Sequence, residues 1–186
     1  MKPSLVIIGL GNPGEGYART RHNAGFQAID VLAKAFGQGP WKEKDRLQSD
    51  IQEARIVAAP VLLVKPRTFM NLSGDAVRKV VDFYKLQPSE QVLVISDDID
   101  LPLGETRLRV SGGPGTHNGL KSVVAAIGEG FPRLRIGLGT HPQGADLATW
   151  VLSVPSQEES HKISQSLEAL PGLLTSFVME KPPPSV

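Results

Sequence analysis

Four stretches of this sequence carry side chains that can do chemistry, and each follows an apolar or alternating run. "LVIIGLGNPG" leads to Asn12 and then, through "GYARTRHNAG", to Tyr17, His22 and Asn23. "VLLVKPRTFMNLSG" ends on Asn71 and Ser73, "QVLVISDDID" on Asp97, Asp98 and Asp100, and "TRLRVSGGPGTHNGLKS" on His117 and Asn118. Imidazoles, carboxylates and amides therefore gather at element ends, where open α/β sheets place their ligands. A histidine held by a carboxylate is a general base: the acid fixes the imidazole tautomer and stabilises the imidazolium that forms. His22 is the candidate base, and one aspartate of "DDID" its partner. The chain has no cysteine and no serine in a nucleophile-elbow pattern, so water is the expected nucleophile.

Each of these groups has a plainer role to be weighed against. Asn12-Pro13-Gly14 reads equally well as a turn, because asparagine and glycine tolerate left-handed backbone angles. His22-Asn23 reads as a helix start, with Asn23 capping and the histidine exposed. The acidic cluster invites a metal ion held with water and phosphate. Neighbouring residues of an extended segment point to opposite sides, however, so its three carboxylates do not converge. No metal is expected.

The basic residues suggest the ligand. Arg107 and Arg109 share a strand face at i, i+2, as do Arg133 and Arg135, and such pairs clamp phosphate with their planar guanidinium forks. Residues 1–141 hold 18 Lys and Arg against 14 Asp and Glu, whereas 142–186 hold 2 against 5. Positive charge thus lies with the glycine-rich motifs and points to a phosphate-bearing polymer. Aromatic residues make up only 5% of the chain, so base stacking is not the main device.

The elements that must position these groups follow from periodicity. Leu5–Gly9 is a buried strand, and apolar residues from Phe26 to Phe36 recur at helical spacing, predicting a helix over 24–36 ended by Gly37. Residues 38–48 are polar and read as irregular. Strands are expected at 51–57 and 61–64, in "QVLVIS", in "TRLRV" and in "RLRIGLG", with helices after "MNLSGD", in "LKSVVAAIG" and over about 155–170. Strands alternating with helices predict one α/β domain over 1–186, with a frayed tail from about residue 180. At 186 residues and 40% hydrophobic the chain supports one core. No run approaches the roughly 20 apolar residues of a membrane span, so a cytoplasmic protein is expected.

Gly9, Gly11 and Gly14 fit G-x-G-x-x-G, but the dinucleotide fingerprint needs a helix starting inside the loop and an acid ending the next strand about 20 residues on. Here helical periodicity resumes only near Ala24, and Asp30 falls inside that helix. The glycines serve something other than a dinucleotide.

Taken together, "GLGNPG..Y..TRHNAG", "KPRTFMNLSG", "DDIDLPLG", "GGPGTHNGLKS" and "RLRIGLG" resemble the successive signature blocks of bacterial peptidyl-tRNA hydrolase, in order from about residue 4 to 153. The resemblance implies a monomeric α/β fold with a mixed, mostly parallel central sheet flanked by helices. It also implies cleavage of the ester between a peptide and the 3′ end of tRNA, with no cofactor and no obligate protein partner. Carried over by motif, His22 is the general base, Asp97 its orienting partner, and Asn12 a third catalytic residue. Asn71 and Asn118 position the substrate and Tyr17 lines the site. Arg107 and Arg109, with Arg135 nearby, contact the 5′-phosphate and acceptor stem. Two features depart from the family pattern: Pro114 and Thr116 in the glycine loop, and a C-terminal segment without a basic helix. A non-catalytic RNA-binding relative, of the kind that acts in splicing, is the alternative reading.

Overall fold

The computed structural model describes residues 2–180. Seven strands form one sheet in the order β2-β3-β4-β1-β5-β7-β6. They are β1 (Leu5–Gly9), β2 (Gly37–Lys44), β3 (Ser49–Ile56), β4 (Ala59–Pro66), β5 (Val92–Asp98), β6 (Thr106–Arg109) and β7 (Arg133–Gly137). β1 runs parallel to β4 and β5, and β5 parallel to β7. β2, β3 and β4 pair antiparallel at one edge, and β6 pairs antiparallel with β7 at the other. The expected mixed sheet with a parallel centre is the one observed, and the four parallel strands all present their carboxyl ends along the same side.

Helices α1 (Ala24–Phe36), α6 (Gln157–Glu168) and α7 (Leu170–Glu180) lie against one face. Ile7, Leu93, Ile95, Ile29, Leu32, Leu167 and Leu174 form its core. Helices α2 (Ser73–Tyr84) and α4 (Asn118–Ile127) lie on the other, over Val6, Ile8, Val64, Val92 and Val94. Continuous Val/Ile/Leu runs in β1 and β5 are the mark of strands covered on both faces. The short helices α3 (Pro88–Gln91) and α5 (Leu147–Val151) complete the set.

Two sequence readings need correction. Residues 38–44 are not irregular: they form most of edge strand β2, exposed along most of its length, so no apolar alternation marks it. A register shift at 38–42 and its lysines blunt that edge against further pairing. The helix expected over 24–36 is observed as α1, whose buried stripe is Ala24, Gly25, Ala28, Ile29 and Leu32, with Phe26 and Phe36 half-buried. The closing helical segment is two helices rather than one. Apart from Glu180, the expected frayed tail lies outside the described residues. No described helix is long and apolar enough to cross a membrane.

Candidate active site

Gly25, in the first turn of α1, places the candidate base. A Cβ there would lie 2.4 Å from the Leu10 carbonyl oxygen and 2.5 Å from that of Ile95. Only glycine lets the helix start rest directly on the ends of β1 and β5. The preceding 3₁₀ turn, Arg21–Asn23, is thereby pressed against the carboxyl end of β5, where Leu93 and Ile95 face α1 and Asp97 continues the alternation.

His22 and Asp97 meet there. His22 Nδ1 lies 3.0 Å from both carboxylate oxygens of Asp97. The histidine is 9% exposed and the aspartate 3%, so the reading of an exposed histidine fails. Burial alone would push the imidazole pKa down. The Asp97 carboxylate more than offsets this, and the His22 pKa is raised. Burial would likewise push Asp97 up, but the imidazoles of His117 and His22 hold it well below the usual carboxylate range.

His117, which the sequence singled out without assigning it a role, completes the group. Its Nε2 lies 2.9 Å from Asp97 Oδ1, and its Nδ1 accepts the Leu120 backbone N–H at 3.1 Å, capping α4. An acceptor at Nδ1 assigns the proton to Nε2, so His117 donates to Asp97. The signal was present as a repeat: "HN" occurs twice, each time at a helix start.

His22, Asp97 and His117 bring three potential metal-ligand atoms within 4.8 Å of one another. The donor set favours protons. A cation on His117 Nε2 would require the ring hydrogen at Nδ1, where the Leu120 N–H already points.

Asn12 is buried, at 6% exposure, and is more than a turn. Its Oδ1 accepts the Met70 backbone N–H at 2.8 Å, which fixes the amide so that its NH₂ is left to donate elsewhere. Asn23 stands at the N-cap position of α1, but its side chain makes no capping hydrogen bond. Its side chain instead brackets the Asn12 backbone, accepting from the Asn12 N–H and donating to the Asn12 carbonyl, both at 2.9 Å. The same Met70 begins the 3₁₀ turn that carries Asn71, which is exposed. Asn118 is the first residue of α4 and also exposed. Helices α2 and α4 approach closely where the Gly74 N–H meets Ser122 Oγ at 2.8 Å, which fixes the two asparagine-bearing helix starts relative to one another. Tyr17 packs edge-on against Phe69, ring centroids 6.3 Å apart. Phe69 is 55% exposed, a residue the sequence reading missed.

A cavity of about 410 Å³ lies beside the pair, lined by Asp97, Asp98, His117, Asn118, Arg135 and residues of α5. Asp98 lines the same cavity but is held by partners of its own. Its Oδ2 accepts from Arg135 Nη1 at 3.2 Å, and its Oδ1 accepts the Asp100 N–H at 2.9 Å. The "DDID" carboxylates do not converge.

The four strand arginines do share a face, since Arg107 pairs with Arg135 and Arg109 with Arg133 across β6 and β7. Their surroundings differ. Arg107 and Arg109 are exposed, whereas Arg133 is fully buried and unavailable to a polymer. Its guanidinium donates to the Glu129, Gly113 and Phe131 carbonyls and stacks on Phe131 at 4.1 Å. It anchors the start of the glycine loop that holds Pro114, Thr116 and His117.

Comparison with known proteins gives the family. The family described as Peptidyl-tRNA hydrolase matches residues 6–183. Peptidyl-tRNA hydrolase of Chloroflexus aggregans is 46% identical over 176 residues, covering 94% of this chain and 93% of that one. The Aquifex aeolicus protein of the same name is 47% identical over 165 residues, covering 88% and 84%. The crystal structure of peptidyl-tRNA hydrolase from Acinetobacter baumannii superposes with a TM-score of 0.87 at 35% identity, covering 96% of this chain and 92% of the other. Buried histidine–aspartate pair, amide-lined strand ends and whole-chain similarity agree, and the chain belongs to the peptidyl-tRNA hydrolase family.

Proposed function

We propose that this chain hydrolyses the ester between a peptide and the 3′ end of tRNA, with His22 as general base on the attacking water. The observation that carries this reading is the His22–Asp97 pair. Nδ1–H donates to the carboxylate, which leaves Nε2 unprotonated and free to accept a proton from water. Asp97, kept ionised by two donors, stabilises the imidazolium formed as water attacks. The proton then passes from His22 to the leaving ribose oxygen. The Asn12 amide, held by Met70, is a preorganised donor for the developing oxyanion or the peptide carbonyl.

Asn71 and Asn118 stand at neighbouring helix starts and suit the backbone of the last peptide residues, while Tyr17 and Phe69 offer an apolar edge. Arg107 and Arg109 are exposed and make no ion pair or hydrogen bond among the described residues, so they are available to tRNA phosphate. Arg135 is partly neutralised by Asp98 and contributes less. The chain acts as a cytoplasmic monomer, as the family resemblance suggests.

The test is release of tRNA from an N-acetyl-aminoacyl ester and from its unblocked counterpart. Hydrolysis of the blocked ester alone supports the reading. Binding of tRNA without release from either would move the chain to the non-catalytic RNA-binding class.

A further inference from the structure

Arg21, the residue directly before His22, spends its side chain far along the sequence. Nη2 meets Glu159 Oε2 at 2.7 Å. Nη1 meets Ser153 Oγ at 2.6 Å and the Ser153 and Trp150 carbonyls at 3.4 and 3.5 Å. The guanidinium also lies over the Trp150 ring, 4.6 Å from its centroid, and the Arg21 backbone N–H donates to the Ser153 carbonyl. Its side chain is 8% exposed. Every one of these partners lies between residues 150 and 159.

That segment is the end of α5 and the start of α6. A helix of five residues does not persist alone, and within α5 only Val151 is buried. Its neighbours Leu152 and Val154 are exposed. Yet Leu147, Ala148 and Val151 line the cavity beside Asp97. Trp150 packs partly buried against the core and beside His141, and Asp146 caps the start of α5. The polar bonds that tie the end of α5 to another element converge on Arg21. Glu159 is itself fixed, because Oε2 also accepts the Ser156 N–H at 2.7 Å in the capping box of α6.

We propose that Arg21 is a positioning residue: it fastens α5 as the wall of the substrate cavity, and so acts on substrate affinity through α5 rather than on proton transfer through His22. A planar fork with five donors and an aromatic face to stack on is suited to hold such a short element in one place. This rests on the peptidyl-tRNA reading only for the identity of the substrate.

The experiment has two arms, applied to wild type, Arg21→Met and Arg21→Lys. In the first, amide hydrogen exchange over 147–153 should rise about tenfold or more in Arg21→Met, with β5 unchanged. Arg21→Lys, which keeps the Glu159 ion pair but loses the fork and the stack, should fall between. In the second, KM for N-acetyl-aminoacyl-tRNA should rise about fivefold or more, with kcat within about threefold and the pH midpoint unmoved. Unchanged exchange in α5 overturns the proposal. So does a fall in kcat with a shifted pH midpoint at constant KM, which would assign Arg21 to His22. Should Arg21→Met not fold, Glu159→Gln retains the capping acceptor and loses the charge. It must move exchange and KM in the same directions, and no change in either overturns the proposal. A wild type inert on the blocked ester would sink the substrate reading, while the exchange arm would still decide the role of Arg21.

Discussion

His22 and His117 share one carboxylate oxygen. Asp97 Oδ1 lies 3.0 Å from His22 Nδ1 and 2.9 Å from His117 Nε2, with the two rings 4.8 Å apart. Two donors on one buried acid have separable effects. His22 has a nitrogen left over to take a proton from water, whereas both nitrogens of His117 are committed. His22→Ala should therefore abolish turnover while tRNA affinity stays within a few-fold, since affinity comes from phosphate and amide contacts. Equal loss of rate and binding would make His22 a binding residue instead.

His117→Ala should have a smaller effect of a different kind. It removes one donor to Asp97 and the cap of α4, so kcat should fall about tenfold and stability by about 1 kcal/mol, as for a lost N-cap. Thermal unfolding together with steady-state rates separates the two. A variant as inactive as His22→Ala would show that His117 touches the reacting atoms.

The pH dependence follows from the direction of the His22 shift. The base must be unprotonated, and Asp97 raises its pKa above 6.5, so activity should be lost as pH falls through a value above 6.5. In Asp97→Asn only burial acts on the imidazole. The acid limb should then move below about 6.5 while kcat drops by about 10–10⁴-fold. An unmoved limb would separate Asp97 from the titrating group. Stability has the opposite sense. A folded pKa raised above the unfolded one contributes stability that is present below about pH 6.5 and lost as pH rises through the folded value. His22→Ala should accordingly cost more stability at pH 6 than at pH 9.

Asn12 offers a test of charge at the reacting carbonyl. Asn12→Asp keeps an acceptor for the Met70 N–H but replaces the free NH₂ by a negative oxygen where negative charge develops. It should lower kcat by about 10²–10³-fold, and by more than Asn12→Ala. If Asn12→Asp retains more activity than Asn12→Ala, the amide is only a structural tie to Met70.

Much of this site was legible because its chemistry is written as residue types at strand ends. Asn12, His22 and Asp97 follow two apolar runs of the chain, and the sheet order then makes their strands neighbours. His117 was not assigned because nothing local says that a loop 20 residues beyond Asp97 folds back onto it. Asn23 was misread for a related reason: a polar residue before a helix looks like a cap, and its actual partner, the Asn12 backbone, is set by the loop. β2 escaped because an exposed edge strand has no buried face to impose a period. The arginines show the limit of an i, i+2 rule, which gives the face correctly but says nothing of what covers it.

That cover decides the last prediction. Arg107 and Arg109 lie exposed on β6, Arg135 is tied to Asp98, and Arg133 is sealed beneath the glycine loop. If the exposed pair holds the tRNA 5′-phosphate, Arg107→Ala with Arg109→Ala should raise KM with little change in kcat. The log–log salt dependence of binding should flatten by about one unit per lost contact. Arg133→Met should behave in the opposite way, lowering the melting temperature through its unpaired carbonyls while leaving the salt slope as in wild type. The control is a substrate lacking the 5′-phosphate: wild type should lose affinity for it, and the double variant should hardly distinguish the two. A double variant that still prefers the phosphorylated substrate as strongly as wild type places the clamp elsewhere. With Arg133 buried, Arg135 is then the residue to change, together with Asp98→Asn to release it.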